Sequence, residues 1–158
     1  MKPNKQENAM TEKKTGLPYA KSFFDLIVYQ KARDLQRHVF EVSKGFPREE
    51  AYSLTDQIRR ASRSIGAQIA EAWAKRRYEK HFISKLTDAD AEQRETQHWI
   101  ETACDCGYVS PEISRQLLDF CQQIGRMLCT MIERAGEFCG ESTATIREDS
   151  PEFFNTDS

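Results

Sequence analysis

The sequence predicts an all-α protein, an antiparallel up-down-up-down four-helix bundle. Three observations lead there. Apolar residues recur at spacings of three and four through four long segments, glycine and proline punctuate the junctions between them, and no stretch shows the alternation of a strand. With 158 residues, 39% of them hydrophobic, the chain is long enough for one domain with a real core.

The first helix is expected over about 25–44, where Leu26, Tyr29, Ala32, Leu35, Val39 and Val42 form a stripe. Ser22 and Asp25 stand at capping-box spacing before it. Gly45 and the following "FPREE" stop it, and Pro47 opens the next element. The second helix, about 53–76, carries Leu54, Ile58, Ala61, Ile65, Ile69 and Ala72. The third, about 78–106, repeats the rhythm with Phe82, Leu86, Ala89, Gln93, Thr96, Ile100 and Ala103, and Gly107 suits its C-terminal cap. The fourth, about 111–138, starts at Ser110 and Pro111 and buries Leu117, Cys121, Ile124, Leu128, Met131 and Ala135. The domain is therefore expected over 22–139. Residues 1–21 read as a disordered polar tail and residues 140–158 as a disordered acidic one.

Composition narrows the function. No apolar run approaches the ~20 residues of a membrane span, and the first ten residues lack an apolar signal core, so a cytoplasmic protein without a membrane partner is expected. Five cysteines, an odd number, fit reduced thiols packed as small hydrophobes better than a disulfide framework. The formal net charge is only −2, yet it is unevenly spread: residues 1–85 hold 18 basic and 10 acidic side chains, and residues 86–158 hold 5 and 15. Such a chain can bind an anion with one side or pair its own halves.

The second helix carries the polar residues of interest. Gln57, Arg60, Ser64, Gln68 and Glu71 form a ladder beside the apolar stripe, and Gly66, Ala67, Ala70 and Ala74 form a face of small residues. A helix lacking a broad wet face suits a position between neighbours, within the bundle or between subunits. A tight turn near 77–78 makes partners across the second and third helices add to about 155, since both rise equally per residue. That register sets Arg60 opposite Glu95 and Arg63 opposite Glu92, which suggests ion pairs that hold register. Lys75, Arg76, Arg77, Lys80 and Lys85 make a basic cluster at the same turn, beside Trp73, Tyr78 and His81. Cations interleaved with aromatics suit phosphate contact and base stacking, so this turn is the candidate RNA or DNA surface.

The stretches "FPREEAYSLTDQIRRASRSIGAQIAEAW" and "RRYEKHFISKLTDADAEQRETQHWIETACDCGYVS" resemble the four-helix-bundle family of rRNA intervening-sequence proteins. That family also holds the accessory variability determinant of diversity-generating retroelements. The resemblance covers about 23–138 and is most specific at Pro47 to Glu50, "QIRRA", "IAEAW", "ETQHWIETA" and Gly107–Tyr108. It departs at Gln68, where the family usually has Asn, and at Ala72, where it usually has Gly. The resemblance implies a bundle that assembles as a ring-like homopentamer, with no established catalysis. It also implies that intervening-sequence members are encoded inside rRNA genes, and that retroelement members bind a reverse transcriptase and nucleic acid through a basic surface.

Rival chemistries fare less well. A di-iron centre needs two Glu-x-x-His pairs, and only Glu95 and His98 supply one. Cys104-x-Cys106 has no further ligands at zinc spacing, so neither metal nor cofactor is expected. An Arg followed by His at the spacing of HEPN-type ribonucleases occurs at Arg76 and His81, where an acid-base pair could act on a phosphodiester; Arg33 and His38 show the same spacing. The expectation is a non-enzymatic, self-associating scaffold or binding protein, with that ribonuclease as the alternative. No partner protein is indicated.

Overall fold

A computed structural model describes residues 20–139, so the expected tails 1–21, save residues 20 and 21, and 140–158 lie outside the described residues. Four long helices pack in sequence: α1 (Ile27–Ser43), α2 (Asp56–Ala74), α3 (Glu79–Asp105) and α4 (Pro111–Glu133), followed by a short α5 (Ala135–Phe138). Each long helix packs on the next in the chain, and α4 returns to α1, which closes the bundle. Among the described residues there is no strand, and no helix is long and apolar enough to cross a membrane.

The stripes become the core. Leu35, Ile65, Ile69, Phe82, Leu86, Ile100, Ile124 and Leu128 are fully enclosed. Two polar members of the α3 stripe are buried with them, Gln93 at 3% exposure and Thr96 at 0%. Both are satisfied locally. The Thr96 hydroxyl donates to the Glu92 carbonyl at 2.8 Å, and the Gln93 amide donates to Asp90 Oδ1 at 2.8 Å while accepting from Gln97 Nε2 at 2.6 Å. Gly125 makes room for this amide on α4, since a Cβ there would come to 2.9 Å from Gln93 Nε2.

The helix ends show which local signals act. Ser110 Oγ accepts from the Ile113 amide at 3.2 Å, with Pro111 in the first turn of α4. Gly107 adopts φ 74° just past α3, its amide bonding Cys104 O while Tyr108 N reaches Ala103 O, both at 2.9 Å. That is the Schellman arrangement, and it needs the left-handed conformation that glycine adopts without strain. Asp25 accepts from the Lys21 and Ser22 amides, but the capped element is the 3-10 turn Phe23–Asp25, and α1 begins after Leu26.

Two boundaries differ from expectation. Before α2 the chain runs through a 3-10 turn (Arg48–Glu50) opened by Pro47 and a π turn (Ala51–Thr55) that buries Leu54. The fourth helix breaks at Arg134, and the redirected turn lays the Phe138 ring over Phe82 with centroids 5.9 Å apart. The short α5 keeps contact with α3, and Gly136 weakens the helix at the break. Cysteine burial is also narrower than expected. Cys121 alone is enclosed, its thiol pushed up to about 12 by burial, while Cys106 and Cys129 are exposed and Cys104 and Cys139 half-buried.

Replacing Gly107 by Ala puts a side chain into the left-handed region, which costs about 1–2 kcal/mol. The urea unfolding midpoint is expected to fall accordingly with an unchanged slope. A midpoint equal to the parent's would mean that the α3 cap relaxes freely.

Candidate nucleic-acid interface

The α2–α3 hairpin has the expected register. Lys85 Nζ binds Glu71 Oε2 at 2.9 Å and reaches Gln68 Oε1 at 3.4 Å, pairs close to the expected sum. Gln68 and Glu71 thus serve the hairpin through the amide and the carboxylate of the ladder. Glu71 is held below the usual carboxylate range, chiefly by the Lys85 hydrogen bond and charge, and Lys85 is raised by the same contact. Lys85 thus faces two carboxylates, with Asp88 3.7 Å away, and unlike Lys75, Arg77 and Lys80 it is ion-paired among the described residues.

The expected pairs Arg60–Glu95 and Arg63–Glu92 are not formed within the chain. Register sets height along the hairpin but not angle around it. At 100° per residue Arg60 and Arg63 lie roughly 130–170° from the centre of the α2 core stripe. Arg60 is exposed with no ion pair among the described residues, and its carbonyl accepts from Ser64 Oγ at 2.8 Å. Arg63 lies 5.7 Å from the Phe40 ring on the α1 side. Glu95 accepts from Trp99 Nε1 at 3.2 Å, Glu92 is half-buried with no ion pair among the described residues, and Gln57 is half-buried.

The other flank of α2 meets α1. Arg59 Nε donates to the buried Ser43 hydroxyl at 2.7 Å, and its guanidinium sits 4.8 Å from the Phe40 ring. Lys44 approaches that ring at the same distance, so Phe40 is a platform for three cations. Gly66 lets the Tyr29 ring approach to 3.5 Å of where a Cβ would stand. Of the remaining small residues, Ala67 and Ala74 are exposed and Ala70 half-buried.

The basic cluster at the hairpin turn divides. Arg76 folds back onto α2, its guanidinium 3.5 Å from the Trp73 ring centroid and its Nε donating to Trp73 O at 2.9 Å. Lys75, Arg77 and Lys80 are exposed and take part in no ion pair among the described residues. In the chain they flank Tyr78, which is 57% exposed and whose ring lies 5.5 Å from that of His81, tilted by 43°. A small cleft of about 180 Å3 opens there, lined by Lys75, His81, Ser84 and Lys85. Arg76 does not line it, so the two members of the expected Arg–His pair do not share a cleft. Ser84 was absent from the sequence reading, although it falls one turn beyond His81 on the same α3 face, where helical spacing would have found it.

A second cleft of about 480 Å3 lies between α3 and α4, lined by Asp90, Gln93, Gln97, Arg126 and their neighbours. Two of its amides, Gln93 and Gln97, are hydrogen-bonded to each other. Among the described residues no three His, Cys, Asp or Glu side chains converge as metal ligands. Cys121, Cys129 and Cys139 all have raised pKa values, Cys121 and Cys139 chiefly by burial and Cys129 by Glu133, so none is an activated thiolate.

These features define a helical bundle with a cationic, aromatic corner at the α2–α3 turn and no assembled catalytic constellation among the described residues. The model of the 23S rRNA-intervening sequence proteins matches residues 24–130, and the chain belongs to that family. A solved structure from Bacteroides thetaiotaomicron, a protein with unknown function from the S23 ribosomal protein family, is 27% identical. It superimposes with a TM-score of 0.61, over 67% of this chain and 98% of its own. No curated protein sequence matches significantly. At the family departures, Ala72 is fully buried and Gln68 bonds Lys85 across the hairpin, so both residues have defined work here.

Two measurements test these assignments. Arg59→Ala removes the hydrogen bond to the buried Ser43 hydroxyl, which keeps its bond to Phe40 O, and the packing on the Phe40 ring, and should cost about 1–2 kcal/mol in urea unfolding, whereas Arg60→Ala should stay within about 0.5 kcal/mol of the parent. Equal losses would contradict the division between the flanks of α2. Glu92 is raised by burial first, then by Glu95 and Asp88. Its contribution is therefore present below its unfolded pKa and lost as pH rises through its folded one. Glu92→Gln should stabilise the protein at neutral pH, and the gain should shrink in the carboxylate range. A pH-independent effect would rule out ionisation as its source.

Proposed function

We propose that this protein is a non-enzymatic, self-associating bundle that contacts nucleic acid through the α2–α3 corner. The observation that carries the reading is the set Lys75, Arg77 and Lys80, exposed around Tyr78 and spared by the ion pairs that tie the hairpin together. Three unpaired cations attract phosphates by releasing counterions, and an exposed ring offers a stacking face to an unpaired base. The cleft beside them adds Ser84 as a neutral donor. The family's association with 23S rRNA supports RNA as the polyanion.

Self-association has its own support. Phe24 is 61% exposed and Ile27 46% exposed; Phe24 packs on Tyr29, whose ring covers Gly66 of α2. Exposed Ala67 and Ala74 extend the α2 surface on which a second bundle could approach closely. Ring-like assembly, a pentamer by family resemblance, would repeat the basic corner around one particle and multiply weak phosphate contacts.

The reading is tested by anisotropy of a labelled structured RNA against the full chain. The triple variant Lys75→Ala/Arg77→Ala/Lys80→Ala should bind at least ten-fold more weakly at low salt. Its slope of log affinity against log salt should be flatter by about two. Its unfolding curve should match the parent's, because all three side chains are exposed. Parent-like affinity would exclude the corner as the contact.

A further inference from the structure

The small cleft at the α2–α3 corner is lined from two helices. Lys75 ends α2, and His81, Ser84 and Lys85 share one face of α3 at helical spacing. The turn between them is tied through its backbone. Tyr78 N donates to Lys75 O and His81 N donates to Tyr78 O, both at 3.0 Å, which holds these residues relative to one another. Ser84 differs from the other hydroxyls of α3. Thr87, Thr96 and Thr102 each donate to the carbonyl four residues back, at 2.8 or 2.9 Å. Ser84 does not, and neither its hydroxyl, the His81 ring nor the Lys75 ammonium has a hydrogen-bond or ion-pair partner among the described residues. Lys85 is engaged, by Glu71 at 2.9 Å and Asp88 at 3.7 Å.

We infer that this cleft is a site for a phosphomonoester, the phosphorylated end of an RNA strand, whose terminal base lies against Tyr78. A phosphomonoester carries roughly 1.5 to 2 negative charges at neutral pH and three terminal oxygens, one for each unengaged donor. An internal phosphodiester has a single charge and two such oxygens, which leaves one donor without a partner. The size agrees. About 180 Å3 is the liquid volume of roughly six waters, room for a tetrahedral phosphate, and it falls below the roughly 300 Å3 of the smallest pockets that enclose drug-sized ligands. A nucleoside therefore stays outside, where the Tyr78 ring is 57% exposed.

The charges around the cleft favour a strand end over a free phosphate. Glu71 and Asp88 balance Lys85 and oppose any anion, so a lone phosphate is held weakly. Arg77 and Lys80, exposed and in no ion pair among the described residues, supply the charge for the phosphates that follow the terminal one. The inference rests on the corner being the nucleic-acid contact proposed above, and it names the part of a strand that the corner takes.

The test is anisotropy at low salt, in phosphate-free buffer, of labelled uridine oligomers of about six nucleotides. They end in a 5′-phosphate, a 3′-phosphate or hydroxyls alone, and are titrated with the full chain and with its Ser84→Ala variant. The parent should bind one of the phosphorylated ends about ten-fold more tightly than the hydroxyl-ended oligomer. Ser84→Ala should cut that preference to about three-fold or less. It should leave the hydroxyl-ended affinity and the unfolding curve unchanged, because Ser84 is exposed and alanine suits a helix. Equal affinity for all three oligomers, or a preference that Ser84→Ala keeps in full, overturns the inference, and the corner itself is then judged by the triple variant above. Inorganic phosphate that displaces the phosphorylated oligomer at equal concentration overturns the strand end as the ligand. If no oligomer binds, uridine monophosphate is added and the His81 ring signals are followed by NMR. A shift in the parent and none in Ser84→Ala would keep the phosphomonoester site and overturn the nucleic-acid reading. No shift in either would overturn both.

Discussion

The register of the α2–α3 hairpin is the constraint from which the rest of the structure follows. Lys85, reaching from α3 to Glu71 and Gln68, fixes the height at which the two helices pass. Because that contact is largely exposed, its energy is small, and the apolar stripes supply most of the stability. What the polar contact contributes is choice among alignments that would bury similar apolar area. Once the hairpin is set, α2 has one flank left for α1, and Arg59, Ser62 and Gly66 occupy it opposite Ser43 and Tyr29.

The same constraint sorts the cations. The bundle uses Lys85 against Glu71, Arg59 against Ser43 and Phe40, and Arg76 against Trp73. It leaves Lys75, Arg77 and Lys80 exposed at the turn, in no ion pair among the described residues. A cluster that looks uniform in the sequence thus splits into structural residues and free ones. The proposed nucleic-acid contact concerns only the free set, so structural damage and lost binding should be separable by substitution.

Much of the fold was legible because periodicity reports burial directly. Even the polar members of the third stripe, Gln93 and Thr96, fell inside as their spacing required, and Gly107 took the left-handed turn that its place after the stripe implied. Linear arguments failed where angle or tertiary leverage decides. Arg60 was set at the right height and on the wrong side, and the fourth helix ended at Arg134, before the turn whose Phe138 ring stacks on Phe82. The π turn before α2 and the exposure of Cys106 and Cys129 follow from packing that no local pattern records. The site was legible as a cluster, but its division awaited the partners of each cation.

The most direct measurement is the mass of the full chain by light scattering after size exclusion, with and without a structured RNA, at low and moderate salt. The account predicts a particle at a multiple of the 18.3 kDa chain that gains RNA at low salt and releases it at moderate salt. An 18.3 kDa monomer, or a larger particle whose mass ignores RNA at both salt levels, would contradict it.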